Sequence, residues 1–188
     1  MSDTRDEDGA EPIAPASLVS RLRRTITRLN QRALRFTHPG SRWLLTSVKL
    51  GFVIKVAAIS FALIEAFATG TLSRETPRPS RSTVSFAILA VVIVPVIETL
   101  QIMRVHLLTR RWIGLAGFVA VSTLLAYALH GPPLAYYPAG AAAAFLIMSY
   151  QYVSFRDALG VGKAFTGVAI CHAVSNGITA LIMAALPG

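Results

Sequence analysis

Four side chains able to take part in hydrolytic chemistry stand inside apolar stretches of this chain. Glu98 lies in VIVPVIETLQIM, His130 precedes Gly-Pro-Pro, and His172 and Asn176 share AICHAVSNGIT. A bilayer penalises ionisable groups by roughly 2.5–3.5 kcal/mol for an acid or base at a helix centre, so they persist where they pair, line a cavity or do chemistry. A carboxylate and an imidazole can take a proton from water, and an imidazole or carboxamide N–H can hold an oxyanion. His172 and Asn176 are i and i+4, one helical turn apart and on one face. Pro95, three residues before Glu98, loosens the local hydrogen-bond ladder. Gln101 is expected on the Glu98 face, and Arg104 further round the helix, reaching for headgroups.

The elements that must position these groups follow from composition. The chain has 188 residues, 54% of them hydrophobic. Several segments reach the ~20 residues that cross a hydrocarbon core. The expected fold class is all-α, a polytopic membrane helix bundle with about five transmembrane helices. Five stretches carry it: 43–68, 83–108, 113–130, 134–154 and 164–186. Residues 70–82 read as a polar loop, and His130-Gly131-Pro132-Pro133 as a sharp break. The run Ala139-Gly140-Ala141-Ala142-Ala143-Ala144 suits close helix packing.

Outside this membrane domain (43–188), residues 1–16 are acidic and aperiodic and read as a disordered tail. Residues 17–42 form a basic amphipathic segment. Leu18, Leu22, Ile26, Leu29, Ala33 and Phe36 recur at helical spacing, flanked by Arg21, Arg24, Arg28, Arg32 and Arg35. Its apolar stripe fits either an anionic membrane surface or the protein's own cytoplasmic face. The net charge of +9 therefore reflects headgroup contact, with no nucleic-acid partner expected. The acidic amino terminus has no signal-peptide pattern, and the single cysteine, Cys171, excludes an internal disulfide. Lys/Arg positions favour a cytoplasmic amino terminus and an outer carboxyl terminus, with Arg74, Arg78 and Arg81 dissenting.

Three of these segments carry spaced motifs: Glu98-Thr99-Leu100-Gln101-Ile102-Met103, Ala126-Tyr127-Ala128-Leu129-His130, and His172-Ala173-Val174-Ser175-Asn176. In order and spacing they resemble the CPBP family of intramembrane proteases, the group of type II CAAX prenyl endopeptidases and bacteriocin-processing or self-immunity proteins. Its pattern is E-E-x-x-x-R, F-x-x-x-H and H-x-x-x-N on successive helices. The resemblance covers about residues 83–186. Thr99, Met103 and Ala126 depart from it, replacing the second glutamate, the arginine and the phenylalanine. Loss of the acid and arginine together is coherent, because deleting one would strand a buried charge.

The resemblance implies an endopeptidase acting on a membrane-associated protein or peptide. Glu98 would be the general base on a water also held by His130, with His172 and Asn176 stabilising the oxyanion. It leaves open a divalent metal such as zinc on His130, His172 and Glu98, or no metal. Together with the Arg- and Ala-rich composition it implies a bacterial inner membrane, with the bilayer and an unidentified peptide or protein substrate as partners. A non-catalytic immunity, scaffold or regulatory protein of the same fold is the alternative, motivated by Thr99 and Met103. A proton-coupled transporter with Glu98 and His130 as relay groups is a third reading.

Overall fold

A computed structural model describes residues 18–70, 88–130 and 138–185. The expected amino-terminal tail, most of the polar loop after Gly70 and the Gly-Pro-Pro break lie outside the described residues. The fold is all-α, with no strand among the described residues. Its helices are α1 (Leu18–Phe36), α2 (Trp43–Thr69), α3 (Val94–Leu129, entered through a π-helical turn at Leu89–Ile93), α4 (Pro138–Leu159) and α5 (Val161–Ala185). Three helical stretches are long and apolar enough to cross a membrane: Trp43–Thr69, Leu89–Leu129 and Val161–Ile182.

The middle stretch is too long for one crossing. Its 41 residues are about twice what the hydrocarbon needs. Gly114 divides it, with φ 69° and ψ −168° inside an otherwise helical run. That conformation belongs essentially to glycine. The two arms fold back as a hairpin, because Glu98 and His130, on opposite sides of Gly114, come within 3.4 Å. A straight helix would hold them about 48 Å apart at ~1.5 Å per residue. The sequence places this turn at Arg110-Arg111 or across 109–115; it falls at Gly114, midway between Glu98 and His130. The loop expected between Arg156 and Lys163 shrinks to Gly160 (φ 86°), between the ends of α4 and α5.

Helix α4 is not among the three apolar stretches, and its packing explains why. It touches α1, α2, α3 and α5, and buries Phe145, Met148, Tyr152, Val153 and Phe155 beside polar Ser149, Gln151 and Ser154. A helix enclosed by neighbours need not match lipid, and its polar groups can tie helices together. Gln151 Nε2 donates to the Gly167 carbonyl (3.1 Å) and lies 3.4 Å from Ser47 Oγ, joining α4 to α5 and α2. At the far end the backbone N–H of Ala139 donates to Glu65 Oε2 (2.9 Å). A carboxylate at a helix amino terminus is well placed, which accounts for an acid in the apolar α2.

Helix α2 approaches its neighbours at backbone distance. A Cβ on Gly51 would stand 2.7 Å from the Cys171 carbonyl, and one on Gly140 2.7 Å from that of Ala58. Among small residues, these contacts seat α2 beside the segment carrying His172 and Asn176. Helix α1 buries none of its residues. Tyr150 donates to Asn30 Oδ1, and Ser154 Oγ to the Leu34 carbonyl (3.3 Å), so α1 is tethered to α4 by its second half. Leu18, Leu22, Leu29 and Phe36 of its apolar stripe stay exposed, not turned onto the protein.

Gly114→Ala tests the hairpin. No atom lies within 4 Å of the added Cβ position, so the cost is backbone strain alone, about 1–3 kcal/mol. Denaturant unfolding in detergent should show that loss, with no comparable loss for Gly162→Ala, which is equally open but helical.

Candidate functional site

Glu98 sits on the first arm of α3, His130 at the end of the second, and His172 and Asn176 on α5. All four line one cavity of about 230 Å³, with Lys55 and Ala58 of α2, Gly140 and Phe145 of α4, and Ser175. That space holds several waters at ~30 Å³ each.

Glu98 is the hub. His130 Nε2 lies 3.4 Å from its Oε1 and His172 Nε2 3.4 Å from its Oε2. These separations are long for hydrogen bonds but too short for an intervening water. The Glu98 side chain keeps 15% of its surface and His130 32%, while His172 keeps 9%. The carboxylate is thus reachable from the cavity although held within the bundle.

Proton positions follow from the acceptors. His130 Nδ1 lies 2.9 Å from the Ala126 carbonyl, one turn back on its own helix. A carbonyl only accepts, so Nδ1 carries a proton. Nε2 then meets Glu98 either bare, against a protonated acid, or protonated, against a carboxylate. Either way the pair shares one proton. His172 Nδ1 is buried with no partner among the described residues. A bare nitrogen there costs less than an orphaned N–H, which leaves the proton on Nε2, toward Glu98.

Asn176 is held by a defect in the opposite helix. In the π turn the register is i to i+5, as in the Val94 N–H to Leu89 carbonyl bond. The Ala90 carbonyl would then look to residue 95, a proline without an N–H. Asn176 Nδ2 fills that vacancy, donating to Ala90 O at 2.8 Å. Its second amide N–H has no protein acceptor among the described residues. Pro95 thus fixes the register between α5 and the helix carrying Glu98.

The motif positions Thr99 and Met103 carry no charge. Thr99 is fully buried with its hydroxyl unpartnered among the described residues, and Met103 packs against the core. Neither brings charge to Glu98. Gln101, expected on the Glu98 face, is not among the residues lining the cavity. It lines a separate groove with Arg104 and Leu108, because the 60° that separates i from i+3 carries it past the cavity rim.

Lys55 is the residue that motif reading passed over. It is half-buried, twelve residues into α2, and its Nζ donates to Thr179 Oγ1 of α5. The signal was the one that marked Glu98, an ionisable group mid-way along an apolar stretch. Lys55 lines the same cavity as Glu98, but the two form no ion pair among the described residues.

The donors do not make a metal centre. Among the described residues no group of three His, Cys, Asp or Glu is placed to hold a metal ion. The two Nε2 atoms each face a separate oxygen of Glu98, and His172 Nδ1 lacks the acceptor that orients a ligating imidazole.

Comparison of the chain with family models, curated proteins and solved structures gives no match.

The Pro95–Asn176 relation predicts an energetic coupling. Asn176→Ala should cost about 1–3 kcal/mol by stranding the Ala90 carbonyl. In a Pro95→Ala background, where the backbone regains a donor, the same change should cost less. Equal costs in both backgrounds, measured by unfolding in detergent, would refute the coupling.

Proposed function

We propose that this protein is an intramembrane endopeptidase of the CPBP type, hydrolysing a peptide bond in a membrane-associated protein or peptide. The observation that carries the reading is the Glu98 carboxylate set between two imidazoles in a cavity large enough for several waters. Three motifs far apart in sequence supply those groups, in the order and spacing the family resemblance requires.

Glu98 takes a proton from a water in the cavity as its oxygen adds to the scissile carbonyl. His130, which shares a proton with Glu98, returns one to the departing amine. Asn176, through its second amide N–H, and His172 stabilise the oxyanion. His172 contributes once Glu98 is protonated and holds its N–H less strongly. No step requires a metal. Waters enter through the cavity that exposes Glu98.

Orientation belongs to the same proposal. Arg42, Arg156 and Lys163 lie at the helix ends bounded by the α1–α2 and α4–α5 junctions. Arg110 and Arg111 flank the Gly114 turn. By the excess of basic residues that end faces the cytoplasm of a bacterial inner membrane.

The test is turnover of membrane-peptide substrates by the purified protein in detergent. Glu98→Gln should abolish cleavage and His172→Ala nearly so, while Asn176→Ala loses about 10²–10³-fold in rate, as for an oxyanion donor. Glu98→Gln and His172→Ala proteins that remain folded and cleave like the parent would disprove the assignment.

A further inference from the structure

We infer that Lys55 is a catalytic residue of this site, the cationic group that receives the oxyanion as the scissile carbonyl is attacked. The inference rests on the endopeptidase reading and adds a helix to it, since none of the three motifs includes α2.

An ammonium about 18 Å along a membrane-crossing helix, at ~1.5 Å per residue, is expensive unless it is used or neutralised. No acid among the described residues pairs with it. Lys55 forms no ion pair among the described residues, and both oxygens of the cavity's carboxylate are faced by imidazoles. Its one acceptor among the described residues is a hydroxyl, Thr179 Oγ1, which itself donates to the Ser175 carbonyl (3.4 Å). An ammonium has three N–H groups, so two remain for the cavity that Lys55 lines.

Competing donors are fewer than the residue list suggests. His172 Nε2 lies against Glu98 Oε2, and His130 spends one nitrogen on Ala126 and the other on Glu98. Asn176 has given one N–H to Ala90. What remains free before reaction is one amide N–H and the Lys55 ammonium, and only the ammonium carries charge. An oxyanion in a water-poor site gains most from a preorganised positive charge.

The step balances as follows. The water oxygen bonds to the carbonyl carbon, its proton passes to Glu98, and the carbonyl π pair becomes an oxyanion facing Lys55. Collapse restores the C=O bond, breaks the C–N bond, and a proton from the Glu98–His130 pair goes to the amine. Lys55 keeps its protons throughout.

The experiment uses two probes on the full-length protein in detergent. One is a phosphinic pseudo-dipeptide, tetrahedral and anionic; the other is the neutral ketomethylene isostere. Affinities are read by thermophoresis for the parent, Lys55→Met, Lys55→Arg and Thr179→Val. The expected result is that Lys55→Met weakens the phosphinate by about 10²-fold, the scale of a lost oxyanion donor, with ketomethylene binding unchanged. Lys55→Arg should retain most of the preference for the anion, and Thr179→Val, which frees the ammonium to wander, should lose part of it. Should Lys55→Met not fold, the Thr179→Val and Lys55→Arg pair decides by the same preference. Unchanged preference in Lys55→Met, or in Thr179→Val where that variant decides, overturns the role of Lys55 and leaves the endopeptidase reading standing. A parent that binds neither probe overturns both.

Discussion

A carboxylate held between two imidazoles inside a helical bundle is the constraint on which this structure turns. Glu98 cannot stand alone at that depth, because an isolated charge in low dielectric is paid for by desolvation that nothing repays. Its partners must come from elsewhere in the chain, and each imposes a demand on the fold. His130 requires the long apolar stretch to reverse, which Gly114 accomplishes at the one residue type that tolerates its dihedral angles. His172 requires α5 to pack on the opening of α3 in a fixed register, which Pro95 and Asn176 set through the Ala90 carbonyl.

The rest of the bundle serves those demands. Helix α4 passes among the others as a filled core, where its Tyr152 and Phe118 of α3 meet the ring of the buried His106 edge-on at 5.2 and 5.0 Å. Toward the cavity the same helix becomes small, and Gly140, Ala141 and Ala144 line it. The alanine run that reads as a packing surface thus has two consequences. It lets α2 approach at Gly140, and it leaves the volume that the polar groups share.

Much of this was legible in the sequence because it depends on local rules. The apolar lengths announce the helices, and the i, i+4 spacing of His172 and Asn176 puts them on one face. The intrusion of Glu98 into an apolar run marks it without any partner being known. What was not legible depends on pairing between helices. Arg110-Arg111 is a plausible turn by charge, yet the reversal needed a positive φ, and Gly114 supplies it three residues later. Gln101 reads as sharing the Glu98 face because i+3 is close to a full turn, but it lines a groove apart from the cavity. Lys55 belonged to no motif, and its relevance emerges only once Gly51 brings α2 against α5.

Thr99 and Met103 bear on how the carboxylate is held. Were Glu98 retained only for stability, an apolar residue of similar volume would serve better, since replacing buried charge by well-packed hydrophobes is often neutral or stabilising. Thr99 is buried and Met103 packs against the core, one and five residues from the same carboxylate, and neither adds charge there. Glu98, His130, His172 and Asn176 surround open volume instead of closing it with shorter contacts. The walls of that void forgo packing on one side. Charge and open volume thus occur together at Glu98, where the cavity leaves the carboxylate within reach of water.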